Sequence, residues 1–167
     1  MKNELTEKDL ALMQQELDYR RLELRPQLIE AVKTARAFGD LSENFEYKAA
    51  KQEKNRNDSR CRYLENMIKS AVVISDCSRI GVVGLYDRVT LHIEEDDEDV
   101  TVQVVTTMRQ DALNGLISKE SPVGKAVIGH RAGDRVLAQM ENGKSFYIQI
   151  LSIEKGTDDG SIPIGSF

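Results

Sequence analysis

Tryptophan is absent from the 167 residues, and aromatic side chains make up only 5% of them. That is too little ring volume for one large core and suits an elongated helical body better. Cysteine is almost as scarce. Cys61 and Cys77 form no Cys-x-x-Cys pair, which excludes a disulfide framework and reads as two reduced structural thiols. His92 and His130 stand alone, so a metal centre built from His or Cys is excluded as well. No apolar run reaches membrane-spanning length and no secretory signal opens the chain. A soluble, cytoplasmic protein without a membrane partner is expected. There is no phosphate-binding glycine loop, no Gly-x-Ser-x-Gly elbow and no Cys/His dyad. The chain is therefore not expected to be an enzyme by itself, and the chemistry left to it is that of carboxylates.

What the sequence does hold is helical periodicity in its first half. Thr6-Glu7-Lys8-Asp9 is a capping-box pattern. From there apolar residues recur at Leu10, Met13, Leu17, Leu24, Leu28, Val32 and Ala35, mostly three or four apart. A second stripe, Tyr47, Ala50, Lys54, Asn57, Cys61, Leu64, Ile68 and Ala71, alternates steps of three and four, a heptad seam with a polar middle. Pairing the stripes in opposite directions (Leu10 with Ala71, Met13 with Ile68, Leu17 with Leu64, Leu24 with Asn57) keeps the sum of residue numbers constant. For Leu28 with Lys54, Val32 with Ala50 and Ala35 with Tyr47 the sum is constant again, one higher. This is the signature of an antiparallel helical hairpin folding back at Gly39-Asp40-Leu41. Gly39 suits a helix end that needs positive φ, and Ser42 can cap a second helix running from about Ser42 to about Ser70. About 30 residues at 1.5 Å each make a rod of roughly 45 Å. Pro26 should kink or split the first helix near Leu22–Arg25. The seam at Arg20, Lys54 and Asn57 is too polar for a dry core, so the end near the termini should pack best.

In the second half the period changes to two. Val89, Leu91 and Ile93, then Val100, Val102 and Val104, alternate with polar residues and read as strands joined by the acidic turn Glu94 to Asp99. Ser121-Pro122-Val123-Gly124-Lys125-Ala126-Val127 reads as a short helix with Ser at its cap and Pro at its first position. Val136 to Met140 and Phe146 to Ile153 flank Asn142-Gly143, a hairpin signal. The fold class is thus α+β: an antiparallel coiled-coil hairpin over residues 1–77, a small α+β domain over 78–155 and a loose tail over 156–167. The whole net charge of −5 lies in the second half, because residues 1–77 hold 14 acids and 14 bases. Residues 31–62 carry eight bases against five acids, a mildly basic outer rod behind an acidic tip. It reads either as a solvated helical face or as a patch that tracks phosphates.

Asp40 and Glu43 stand at that tip. Their oxygens suit Mg²⁺, yet two carboxylates hold it only loosely without further ligands. They are also ordinary acids for a turn and for the first turn of a helix. The run Ala35-Arg36-x-x-Gly39-Asp40-Leu41-Ser42-Glu43-Asn44-x-Glu46-Tyr47-x-Ala49-Ala50-Lys51 resembles the signature of the Gre transcript-cleavage factors. Similarity continues through Leu64-Glu65 and Ala71-Val72-Val73-Ile74. It resumes at Ile117-Ser118-x-x-Ser121-Pro122-Val123-Gly124-x-Ala126-x-x-Gly129 and Gly133-Asp134-x-Val136, and so spans nearly all of residues 6–155.

The resemblance implies a transcription elongation factor that binds bacterial RNA polymerase as a monomer and passes its coiled coil through the secondary channel. There it stimulates the polymerase to cut the extruded 3′ end of backtracked nascent RNA. It implies that Asp40 and Glu43 are the catalytic acids, sharing a Mg²⁺ with the polymerase. Asn44 and Tyr47 would shape the tip, and Lys51 would lie beside the RNA. A second domain with an FKBP-like fold would dock on a rim coiled coil through Glu120, Ser121 and Pro122. An inhibitory paralogue that occupies the channel without promoting cleavage is the alternative. Phe45 stands where the family carries a small residue, Asp111-Ala112 lacks a proline common there, and the tail is longer than usual. Tyr86, Phe146, Tyr147 and Phe167 are too few to line a prolyl-isomerase pocket.

Overall fold

The computed structural model describes residues 3–40, 43–76 and 78–165. The expected cap at Ser42 and the thiol of Cys77 lie outside the described residues. The chain divides into two compact units, Met1–Asn3 with Leu10–Val72 and Glu4–Asp9 with Val73–Phe167.

The first unit holds the helical hairpin from Leu10 onward, the opening turn of its first helix falling in the second. Its outgoing arm is α1 (Glu7–Tyr19), a π-helical turn (Arg20–Leu24) and α2 (Arg25–Arg36); its returning arm is α3 (Phe45–Ser70). α1 opens with the reciprocal capping box. Thr6 N–H donates to Asp9 Oδ2 at 3.0 Å, and Asp9 N–H donates to Thr6 Oγ1 at 3.2 Å. The break forecast at Pro26 is the π turn, in which Arg25 N–H reaches back five residues to Arg20 O. Pro26 has no N–H to give and its ring would crowd the carbonyl four residues back, so the wider turn relieves both. A π turn inserts one residue into a helix.

Met13, Leu17 and Leu64 are buried at the hairpin end nearest the termini, and Leu28, Ala35 and Cys61 farther along. The middle of the seam is polar, as its residue types require. Arg20 donates to Asn57 Oδ1 at 3.0 Å while Asn57 Nδ2 donates to Arg20 O at 3.2 Å. Glu16 accepts from Arg60 at 2.9 Å and from Arg20 at 2.7 Å. Asn57 therefore bonds one turn away from Leu24, its expected partner. A buried amide takes a carbonyl and a guanidinium in preference to an aliphatic side chain. Burial raises the Cys61 thiol above its usual range, as suits an inert structural group.

The second unit is a five-stranded sheet in the order β5-β4-β3-β7-β6. Its strands are β3 (Arg88–Ile93), β4 (Glu98–Val105), β5 (Leu116–Ser118), β6 (Arg135–Gln139) and β7 (Ser145–Glu154); β1 (Asn3–Leu5) and β2 (Ala71–Val73) form a separate pair. All neighbours in the large sheet are antiparallel except β4 and β5. Leu91 lies opposite Val100 on one side and Ile150 on the other, and Val136 lies opposite Ile148. The period of two puts Val89, Leu91, Val136, Ala138, Ile148 and Ile150 in one core with Val104 and Val127, the last from α4 (Pro122–Val127). The expected strands, the short helix and the Asn142-Gly143 turn all form, with Gly143 at φ 84°. The short parallel strand β5 has no alternating pattern to announce it.

The segment expected as a loose tail instead returns to the body of the second unit. Ile162 packs on the core, and the Asp158 carboxylate is fully buried. It receives two hydrogen bonds from Arg109, at 2.7 and 2.8 Å, while Arg109 Nε donates to Asp9 at 2.7 Å. Asp87 anchors the start of the same segment, accepting from Lys155 at 2.6 Å and from Gly156 N–H at 3.0 Å.

Candidate functional site at the hairpin tip

α2 ends at Arg36 and the chain turns through Gly39, whose φ of 126° is open only to glycine at low cost. Asp40 and Glu43 follow on the connecting loop, both exposed. α3 is capped by Asn44, whose Oδ1 accepts from Tyr47 N–H at 3.0 Å. The same side chain closes the tip: Asn44 Nδ2 donates to Ala35 O at 2.7 Å. One amide thus satisfies a donor that opens α3 and a carbonyl that ends α2, which ties the two arms at the base of the acidic loop.

Tyr47, half-buried, lies next in the helix. Arg36 sits over its ring at 5.5 Å and donates to its hydroxyl at 3.4 Å, and Lys51 lies 5.9 Å from the ring centre. The hydrogen bond from Arg36, helped by the charge of Lys51, holds the Tyr47 phenol below its ordinary value. Lys51 itself is exposed. Arg36 carries the Tyr47 clamp, a role that neither its place in the signature run nor its count among the bases assigns to it. Eleven residues along one helix would separate a cation and an aromatic by about 16 Å, beyond side-chain contact; only the fold-back brings them together.

Glu120, Ser121 and Pro122 belong to the second unit, apart from the tip residues in the chain's division. Ser121 caps α4: its Oγ accepts from Gly124 N–H at 3.1 Å and donates to Ser118 O at 2.6 Å. Pro122 takes the first turn of the helix. The carboxylate of Glu120 lies between Lys119 at 3.9 Å and Lys125 at 3.7 Å. Gly124 is indispensable to this corner, because a Cβ there would stand 2.1 Å from Ser118 O.

Asp40 and Glu43 offer hard oxygen donors of the kind Mg²⁺ takes. Among the described residues no group of three His, Cys, Asp or Glu side chains could hold a metal ion. Two carboxylates by themselves are too few ligands for a Mg²⁺ site. No helix among the described residues is long and apolar enough to cross a membrane.

Comparison with known proteins follows the same division. Residues 3–73 match the family model for the N-terminal part of the transcription elongation factors, and residues 78–155 match the C-terminal model of GreA/GreB. The chain belongs to the GreA/GreB family of transcription elongation factors. Transcription elongation factor GreA of Staphylococcus carnosus is 37% identical over 150 residues, covering 90% of this chain and 94% of that protein. GreA of Staphylococcus aureus strain JH9 is 36% identical over the same length, covering 90% and 95%. The solved structure of GreA factor homolog 1 of Thermus thermophilus is 29% identical and covers 93% of this chain and all of that one, with a TM-score of 0.44. The resemblance read from Ala35–Lys51 and Ile117–Val136 is thus a family membership that extends over both halves of the chain.

Proposed function

We propose that this GreA-like elongation factor enters the secondary channel of bacterial RNA polymerase and stimulates cleavage of backtracked nascent RNA by the polymerase active site. The observation that supports this most directly is the tip: two exposed carboxylates on a loop whose ends Asn44 ties together. Asp40 and Glu43 would supply oxygen ligands to a Mg²⁺ shared with the polymerase and would accept hydrogen bonds from the attacking water, orienting it toward the scissile phosphodiester. When bound, the metal would supply Lewis-acid stabilisation of the charge that develops as the leaving oxygen departs. Asn44 and the Arg36–Tyr47 clamp tie the two arms together at the base of the tip, so less ordering is left for the moment of reaction. Lys51 lies alongside the extruded 3′ end of the RNA. Glu120, Ser121 and Pro122 form the docking loop for the channel-rim coiled coil. The factor is not itself an enzyme, holds no Mg²⁺ tightly alone, and acts as a cytoplasmic monomer.

The deciding experiment adds the purified full-length chain to polymerase stalled in a backtracked register and follows release of the 3′ RNA fragment. Release well above the intrinsic rate is expected. Competitive binding to polymerase without release would identify the inhibitory paralogue instead, and absence of binding would leave a coiled-coil adaptor.

A further inference from the structure

Two aromatic rings flank the acidic loop in open solvent: Phe38 is 72% exposed and Phe45 80% exposed. Both are anchored to one point, since Ala35 O accepts from Phe38 N–H at 3.2 Å and from the amide of Asn44, the residue before Phe45, at 2.7 Å. Cations stand beside the rings on this end of the hairpin. Lys48 Nζ lies 5.6 Å from the Phe45 ring centre, and Arg36 and Lys51 are grouped on Tyr47. Isolated apolar residues are common on protein surfaces. Here two rings border the candidate catalytic acids, with Lys48 within one helical turn after Phe45 and Arg36 two residues before Phe38. Rings interleaved with cations are the composition of a surface that takes single-stranded nucleic acid: bases stack on the rings, and phosphates meet the cations.

We infer that Phe45, seconded by Phe38, is a stacking platform for a base of the extruded RNA strand, so that the factor positions its substrate as well as the metal and water. The inference rests on the cleavage reading above. A purely protein-facing role for the rings, against an apolar channel wall, is less favoured because Lys48 and Lys51 would then be carried onto that wall as well, at a desolvation cost. Stacking is tolerant of base identity because every base has a π-face, which suits a strand whose 3′ sequence varies from one pause to the next. Phe45 is a positioning residue in this scheme; Asp40 and Glu43 retain the reacting atoms.

The test uses the full-length chain and backtracked polymerase carrying a photoreactive iodouridine near the RNA 3′ end. The cleavage-deficient Asp40→Ala protein serves as background, so that crosslinking is read separately from cutting. A crosslink to the segment holding Phe45 is expected with Asp40→Ala, retained in Asp40→Ala/Phe45→Trp and lost in Asp40→Ala/Phe45→Leu, which keeps the apolar bulk and removes the ring. In the otherwise native protein, Phe45→Leu should raise the RNA-dependent half-saturation concentration for cleavage roughly five- to hundredfold, the span of one stacked base, with Phe45→Trp near wild type. If the crosslink maps to polymerase alone, or Phe45→Leu weakens binding equally to polymerase without extruded RNA, the rings contact protein and the inference is overturned. If Asp40→Ala cleaves like wild type, the catalytic reading fails, whatever the crosslink shows.

Discussion

At the scale of single residues, Asn44 holds the two arms together at the tip. Its amide bonds in two directions, to Tyr47 N–H and to Ala35 O. Asn44→Ala removes an N-cap, at a cost of about 1 kcal/mol in stability, and also frees the end of α2 from the start of α3. The expected outcome is cleavage stimulation reduced at saturating factor with polymerase binding unchanged. Single-turnover release of RNA from backtracked complexes measures the first, and competition binding the second. For Asp40→Ala and Glu43→Ala the loss should be larger. A group that stabilises charge in the transition state is worth roughly 100- to 1000-fold in rate, and these side chains lie on an exposed loop whose removal disturbs no core. Unchanged rates in both variants would remove them from the chemistry.

At the scale of elements, the corner β5–α4 and the ion cluster around Arg109 decide how the second unit holds its shape. Gly124→Ala forces a Cβ against Ser118 O. The helix must shift, and Ser121 and Pro122 shift with it. The variant should need more factor for half-maximal cleavage and keep the wild-type rate at saturation; titration of cleavage against factor concentration distinguishes the two. Pro122→Ala should act in the same direction more weakly, because it loosens the first turn without a clash. At Asp158, burial alone would raise the carboxyl, but the Arg109 guanidinium outweighs it and holds the group below its ordinary value. A depressed carboxyl contributes stability that is fully present above its unfolded value. That contribution is lost as pH falls through the folded one, below about pH 4. Urea midpoints measured from neutral to acid pH should fall more steeply for wild type than for Asp158→Asn. Parallel curves would show that the pair contributes nothing to acid sensitivity.

At the scale of the whole molecule, domain bounds drawn at residues 78 and 155 would cut through the ion cluster. Arg109 is fully buried, and its two carboxylate partners, Asp9 and Asp158, lie outside that span on opposite sides. A fragment limited to 78–155 would bury a guanidinium without either counter-ion. Breaking such a pair costs roughly 3–5 kcal/mol, a large part of the stability of a small domain. The fragment should unfold at markedly lower urea than one that keeps residues 156–165, and residues 4–9 supplied within the same chain should restore more. Equal midpoints would mean that the cluster is dispensable. The full-length protein, for its part, should show no hydrolysis of free RNA with Mg²⁺ present, because Asp40 and Glu43 are too few ligands to build a site alone.

Much of this protein is readable along the chain, because its main signals are local and periodic. The hairpin followed from two apolar stripes and a fold-back at Gly39, and the strands β3, β4, β6 and β7 from alternation and an Asn-Gly turn. The acidic tip and the Ser121-Pro122 cap were legible for the same reason: capping and turn chemistry act within three or four residues. What the tertiary structure alone decided depends on contacts with no fixed spacing. The parallel strand β5 is too short to show a period. Arg36 meets Tyr47, and Asn44 meets Ala35 O, only once the arms have folded together. Asp9, Arg109 and Asp158 are far apart in sequence and individually unremarkable. Burial makes a charge costly unless an opposite charge accompanies it, so the fold gathers all three at one point and turns an apparently loose tail into part of the second unit's framework.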